Sequence, residues 1–258
     1  MRKIKYFLIA FLFFTIYQVN AQSGQYYEWR TYTCSSSAQL DRLHSYLEHA
    51  FVPLLHELGI GGIGVFSSIE NDTADQKRVF ILIPSYDLTV FERLSDQMVS
   101  HVEMEGPGED YLLTAHDQPV YNRIEISWHR AFKKHPQLSI PDFSTDVSER
   151  IFEFRSYEGA SEILYRRKVH MFDEGGEIEL FESLGFNAIF YAETLAGART
   201  PNLVYMTSFE NMQSREEHWD AFRADPRWKV MSGLPIYQNT VSKADIYLLH
   251  PAAYSDIK

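Results

Sequence analysis

Ionisable side chains recur on one predicted helix face in the second half of this chain. In a helix from Ser161 to Leu184, a rotation of about 100° per residue places His170, Glu174 and Glu177 on an arc that also carries apolar residues. Ionisable groups on an apolar face are costly to bury unless they pair with each other or with a ligand. His170 and Glu177 are therefore candidate catalytic residues, with His170 as a general base or an orienting group because histidine changes charge near neutral pH.

Two considerations leave this interpretation open. Gly175 and Gly176 interrupt the same helix, which predicts a bend or a close approach to its backbone, and a bend would rotate Glu177 relative to His170. The alternative for His170 is a structural histidine whose hydrogen bonds are satisfied in the core.

A histidine occupies the corresponding position in the first half. His44 lies 126 residues before His170 and shares a predicted helix arc with Leu40, Leu47 and Phe51. We therefore include His44 among the candidate ligand-binding residues.

Two predicted strands carry an acid and a base two positions apart. Glu28 and Arg30, like Glu153 and Arg155, point to one face of a strand among bulky apolar neighbours. Each pair forms a structural ion pair or lines a pocket, so Glu153 and Arg155 are candidate ligand-binding residues.

A third candidate for ligand binding is Arg215, which precedes Trp219 by four residues on a predicted helix. At this spacing the guanidinium can stack on the indole ring, and plain packing is the alternative.

Metal and cofactor motifs are missing from the sequence. It contains no His-Glu-x-x-His motif, no cysteine pair, no calcium loop and no glycine-rich phosphate loop that follows a strand. We therefore predict no metal site and no cofactor.

These candidates recur because the chain repeats itself. The hexapeptide Tyr27–Tyr32 reappears 125 residues later as Phe152–Tyr157, with the acid and the base at the same places. Duplicated modules explain this pattern best.

Each copy is predicted as strand, helix, strand, strand, helix, strand. The first copy contains Tyr26–Thr33, Ala38–Leu58, Gly62–Ile69, Lys77–Pro84, a helix capped by Asp87, and Tyr121–Trp128. The second contains Arg150–Tyr157, Ser161–Leu184, Phe186–Thr194, Asn202–Ser208, Asn211–Ala224 and Val241–Leu249.

The predicted fold class is α+β, with two tandem ferredoxin-like βαββαβ modules. The modules span residues 22–131 and 150–258, and the proline-containing segment 132–149 links them. A βαββαβ sheet leaves one face without helices, and the first strand of each copy is aromatic on both faces. We therefore predict that the two bare faces bury each other in a barrel, as an intramolecular pseudo-dimer.

The N-terminus has the pattern of a signal peptide. Arg2, Lys3 and Lys5 precede an apolar run that ends at Ala21, which predicts cleavage there and a secreted or periplasmic protein. The run is too short to span a bilayer. Removal of these three cations lowers the formal charge from −11 to −14, which argues against a nucleic-acid partner.

The second copy carries a further set of short motifs. They are Met171-Phe172, Gly175-Gly176-Glu177-Ile178, Pro201-Asn202-Leu203, Tyr205-Met206, Arg215, Trp219, Phe222 and Asp225-Pro226-x-Trp228. With these motifs the chain resembles exported bacterial proteins of the NIPSNAP family, within the dimeric α/β-barrel group. The first copy departs from the pattern in its second helix, so the second copy is the expected host of a site.

The resemblance implies a fold but no particular reaction. The family has no settled activity, and its wider fold relatives include cofactor-free monooxygenases, haem-degrading enzymes and isomerases. Asn202 and Tyr205 belong to the motifs of the resemblance, and we add them to the candidate ligand-binding residues.

Two functions remain open at this point. The first is a small-molecule binding protein or cofactor-free enzyme whose pocket lies between the sheet and the helices of the second copy. The second is a non-enzymatic protein-interaction module with a fully packed barrel. A pocket that reaches both His170 and Glu177 would favour the first, and solid packing there the second. Association into a homo-oligomer is compatible with both.

Overall fold

The computed structural model describes residues 24–101 and 106–258. The predicted signal peptide, residues 1–21, lies outside the described residues.

The first module has the predicted order of elements. Its strands are β1 (Tyr26–Cys34), β2 (Gly64–Ser68), β3 (Lys77–Ser85) and β4 (Arg123–Ala131). Its helices are α1 (Ser37–Tyr46), α2 (Val52–Glu57), α3 (Thr89–His101) and α4 (Pro107–Leu112), and a π-helical turn, Leu47–Phe51, joins α1 to α2.

The second module repeats this order. Its strands are β5 (Ile151–Glu158), β6 (Asn187–Ala196), β7 (Asn202–Phe209) and β8 (Lys243–Pro251). Its helices are α5 (Glu162–Asp173), α6 (Glu177–Ser183), α7 (Met212–Ala224) and α8 (Pro226–Gly233), with a 3-10 turn at Pro235–Tyr237.

Both long helices that we predicted are interrupted. The expected helix 38–58 contains the π-helical turn, because Pro53 lacks the N–H that would continue the regular hydrogen bonds. The expected helix 161–184 is two helices that meet at Gly175 and Gly176. Gly176 has a φ of 97°, and a Cβ on Gly175 would lie 2.7 Å from the Met171 carbonyl oxygen. The glycines therefore provide both the bend and the close approach.

The eight strands of the described residues form one closed antiparallel barrel, in the order β1-β3-β2-β8-β5-β7-β6-β4. Each module contributes four adjacent strands. The modules join at two seams, where β2 pairs with β8 and β4 pairs with β6. The predicted fold class, two ferredoxin-like modules in a pseudo-dimeric barrel, is confirmed.

The barrel interior is an aromatic core shared by both modules. Trp29 of β1 stacks on Phe154 of β5 with ring centroids 4.2 Å apart and an interplanar angle of 6°. Phe66 of β2 contacts Phe152 of β5 at 5.0 Å. The two bare sheet faces therefore bury each other, and the helices pack on the outside in two further apolar clusters.

The predicted linker is held against the barrel. Residues 132–149 contain neither helix nor strand, yet the Phe132 and Ser139 N–H groups donate to β6 carbonyls, at 3.0 and 2.9 Å. Whether this segment is a domain boundary stays a prediction. Among the described residues, no helix is long and apolar enough to cross a bilayer.

Replacement of Phe154 with Ala tests the shared core. Phe154 is 4% exposed, so we expect the free energy of unfolding to fall by about 3–5 kcal/mol. Ile163→Ala on the 67%-exposed Ile163 is the control and should change it by no more than about 0.5 kcal/mol. Urea unfolding followed by circular dichroism measures both values. Because the modules share this core, the chain should unfold in one transition; two transitions of which only one shifts would contradict the shared core.

Candidate functional site

A buried ionic cluster lies between the sheet and the helices of the second module. The Glu153 carboxylate, fully buried, accepts from Arg155 Nε at 2.5 Å, from Arg215 Nε at 2.6 Å and from Trp219 Nε1 at 2.8 Å. The predicted ion pair between Glu153 and Arg155 is confirmed. Three donors satisfy this carboxylate, as a buried charge requires.

Arg155, rather than Arg215, stacks on the ring of Trp219. The Arg155 guanidinium carbon lies 3.8 Å from the ring centroid, so of the two alternatives for Arg215 and Trp219 the stack is not the one observed. Arg215 and Trp219 instead donate side by side to one oxygen of Glu153. Arg155 also donates to the Tyr157 hydroxyl at 2.9 Å, which in turn hydrogen-bonds the buried Tyr205 hydroxyl at 3.0 Å.

The first module contains a corresponding ionic cluster. Glu28 accepts from Arg30 Nε at 2.5 Å and from Trp128 Nε1 at 2.8 Å. The tryptophan belongs to β4 here and to α7 in the second module. Since both modules satisfy the buried carboxylate with an arginine and an indole, the cluster is a repeated part of the fold.

The expected grouping forms only in part, since His170 Nε2 lies 3.7 Å from Glu174 Oε2 but Glu177 has a different partner. His170 and Glu174 are half-exposed at 49% and 61%, whereas Glu177 is buried and accepts from Lys168 Nζ at 2.9 Å. Glu177 begins α6 after the break at the glycines and is buried, whereas His170 and Glu174 at the end of α5 are exposed. Burial raises the pKa of Glu177 in spite of its contact with Lys168.

The two repeated histidines each contact a tyrosine. His170 Nδ1 lies 2.8 Å from the Tyr237 hydroxyl, and His44 Nδ1 lies 2.6 Å from the Tyr254 hydroxyl. His44 Nε2 also lies 3.1 Å from Ser67 Oγ, and burial lowers the His44 pKa. Both ring nitrogens of His44 are thus occupied, as in a structural histidine.

A small cavity opens at one end of the barrel, and we call it the barrel-mouth cavity. It has a volume of about 60 Å³. Its lining comes from both modules: Trp29, Thr31, Glu125, Ile126, Ser127, His129, Phe154, Ser156, Thr194, Gly197, Ala198, Arg199, Asn202, Val204 and Tyr247. It therefore exists only where the barrel closes.

Asn202 supplies a free hydrogen-bond acceptor to this cavity. Its Nδ2 donates to Ser156 Oγ at 2.9 Å, whereas its Oδ1 is buried and has no partner among the described residues. A buried acceptor left without a donor costs about 1–3 kcal/mol. A donor on a bound molecule, water included, would remove that cost.

His129 of β4 orders the hydroxyl groups of the cavity. It is 2% exposed, with Nε2 2.8 Å from Ser127 Oγ and Nδ1 3.0 Å from Thr194 Oγ1. Burial lowers the pKa of His129 to about 3, so its ring is neutral at physiological pH.

One of the eight residues predicted for a site lines this cavity, namely Asn202. Four of the others lie outside the barrel, under the helices of the second module, namely Glu153, Arg155, Tyr205 and Arg215. His44 lies in the first module, and His170 and Glu177 differ in burial and in partner as described above.

Sequence reasoning missed His129 because the fourth strand was predicted to end at Trp128, and it missed Ser127 because this residue of the predicted strand belongs to no motif. The observed strand continues to Ala131, and alternation along it points Ser127 and His129 into the barrel. Inward-facing polar residues near a strand end were the available signal.

The second module matches a known protein family. Residues 152–256 match the family model described as NIPSNAP. No curated protein matches the chain.

Two solved structures share the fold over most of this chain. A candidate monooxygenase from Fusobacterium nucleatum is 7% identical, with 89% of this chain and 93% of that chain covered at a TM-score of 0.55. An anthrone oxidase-like protein is 10% identical, with 90% of this chain and 92% of that chain covered at a TM-score of 0.54. A NIPSNAP family protein from Agrobacterium tumefaciens is 20% identical over 47% of this chain and 100% of its own, with a TM-score of 0.38. At these identities the first two structures show the fold alone.

Replacement of His129 with Gln tests whether the buried ring is neutral. A histidine whose folded pKa is depressed stabilises the fold fully above its ordinary value of 6.5, and this contribution is lost as the pH falls toward 3. The wild-type advantage in free energy of unfolding over His129→Gln should therefore shrink by about 1.4 kcal/mol per pH unit between pH 6.5 and 4.

Urea unfolding at several pH values measures this slope. The control is His116→Gln, at an exposed position, and its difference from wild type should not vary in this way. A His129→Gln difference that is constant with pH would show that the ring is not held neutral.

Proposed function

We propose that this chain, which carries a NIPSNAP domain over residues 152–256, binds a small molecule at the barrel-mouth cavity. The observation that carries the proposal is a cavity lined by side chains of both modules, beside which Asn202 Oδ1 is buried without a hydrogen-bond partner among the described residues. The site lies between the two modules. It replaces the pocket that we expected between the sheet and the helices of the second module, because aromatic side chains and ion pairs fill that layer.

The size of the cavity sets how a ligand would enter. A volume of about 60 Å³ takes two water-sized groups, so only the polar end of a ligand fits inside. The rest would lie across the entrance, beside Tyr247 and Arg199. Trp29 and Phe154 form an apolar wall for the carbon atoms of the ligand.

The geometry of the cavity supports ligand binding more directly than it supports a catalysed reaction. His129 is neutral and has both nitrogens occupied by hydroxyls, so it orients these groups and does not serve as a base near neutral pH. Two fold relatives are named for oxidation, but the contacts in this cavity are hydrogen-bonding groups and apolar walls. We therefore propose recognition of a ligand and assign no reaction to the site.

The alternative function, a protein-interaction module, rests on a different observation. Exposed apolar side chains occur on the outside of the second module, with Ile163 at 67%, Val230 at 68% and Ile236 at 49% exposed. Solid packing around Glu177 also favours it. Under this alternative, changes in the barrel-mouth cavity would leave the function of the protein unaltered.

Replacement of Asn202 with Leu tests the proposed site with phenol as the probe. Phenol offers one donor for Asn202 Oδ1 and a ring for the apolar wall. Binding should shift the backbone amide NMR signals of Ser127 and Thr194 in a saturable way, and Asn202→Leu should weaken it about fivefold or more, because a lost hydrogen bond to a buried group costs about 1–3 kcal/mol.

The matched control is Asn187→Leu, at an exposed position at the start of β6, which should bind phenol like the wild type. The proposal fails if phenol shifts signals elsewhere only, or if Asn202→Leu binds phenol with unchanged affinity.

A further inference from the structure

Basic side chains surround the entrance to the barrel-mouth cavity. Arg199 lines the cavity and forms an ion pair with Asp245 of β8. Lys243 Nζ lies 3.5 Å from the same carboxylate. The Arg78 guanidinium carbon lies 5.9 Å from the ring centroid of Tyr247, which also lines the cavity. Three cations thus gather within reach of one opening.

The acidic groups at the entrance only partly balance these cations. Asp245 is shared between Arg199 and Lys243, and Lys243 also lies 3.6 Å from Glu158. Glu125 lines the cavity too, but it has its own partner in Arg123 at 2.8 Å. On a chain with a net charge of −11, a locally basic entrance would concentrate small anions where the rest of the surface repels them.

We propose that the ligand of the barrel-mouth cavity is a small organic acid with a hydrogen-bond donor at its other end. The donor, such as a hydroxyl group, enters the cavity and binds Asn202 Oδ1. The carboxylate stays at the entrance and takes the place of Asp245 on Arg199. This inference rests on the proposed function, because it specifies the ligand of the same site.

The exchange of one carboxylate for another keeps Arg199 paired. A guanidinium can bind a ligand carboxylate with the same kind of charged hydrogen bond that Arg199 forms with Asp245, so the partly exposed cation keeps a partner. Arg199 lies on the connection between β6 and β7, so its side chain can turn toward a ligand without a change in strand pairing.

The neighbours of Arg199 keep it charged. Burial lowers its pKa, but Tyr247 and Asp245 outweigh this effect and the pKa is raised. A cation and a lone acceptor near the end of the barrel, next to an apolar wall of Trp29 and Phe154, together match a hydroxylated organic acid.

Two probes of similar size, one an anion and the other neutral, test the proposal on the full chain: 4-hydroxybenzoate and 4-hydroxybenzyl alcohol. Both present a phenol to Asn202, and only the first carries a carboxylate. We expect the acid to bind at least tenfold more tightly than the alcohol, as measured from the amide NMR shifts of Ser127 and Thr194. Added sodium chloride should weaken binding of the acid more than binding of the alcohol.

Two variants act in opposite directions. Arg199→Met should remove the preference for the acid over the alcohol. Asp245→Asn removes the competing carboxylate and should tighten binding of the acid several-fold without an effect on the alcohol. Lys229→Met on α8, at an exposed position away from the barrel mouth, is the control and should behave as wild type.

The results distinguish failure of the proposed site from failure of the organic-acid inference. If neither probe shifts the cavity signals, the proposed site is wrong. If both bind equally well and neither Arg199→Met nor Asp245→Asn changes their ratio, the site stands and the organic-acid inference is overturned. Asp245→Asn keeps the test decisive should Arg199→Met fold poorly, because a gain in affinity requires a folded protein.

Discussion

The structure depends on one constraint, which is that a βαββαβ sheet has helices on only one face. The other face of each sheet in this chain carries large aromatic side chains, and exposure of that surface to water would be unfavourable. The duplicated chain brings a second bare face at high effective concentration. The two faces then close into a barrel through the β2–β8 and β4–β6 seams, with Trp29 stacked on Phe154 across the interior.

The candidate site follows from this closure. The aromatic rings fill the middle of the barrel, and smaller polar side chains from several strands meet at one end. His129 and Ser127 come from the first module, whereas Asn202 and Ser156 come from the second. Neither module alone contains the cavity, so binding at this place would depend on the same seams that hold the fold together.

The ionisable residues outside the barrel have a different origin. Glu28 and Glu153 occupy the same place in the repeat, and each buried carboxylate is satisfied by an arginine two residues along and an indole N–H. The indole comes from a strand in one module and from a helix in the other. A buried charge must be paired, and the chain meets this requirement with whichever element lies within reach. This explains why several residues that could do chemistry serve the fold instead.

The sequence by itself determined the properties that local periodicity encodes. The repeat, the order of strands and helices, the Glu153–Arg155 pair and the close approach at Gly175 could all be predicted, because each depends on residues near one another along the chain. Tertiary structure alone decided which groups meet. Glu177 is buried against Lys168 whereas His170 is exposed beside Glu174, and barrel closure brought His129 to Thr194, 65 residues away. Such contacts depend on how whole sheets pack, and no single helix or strand pattern records that.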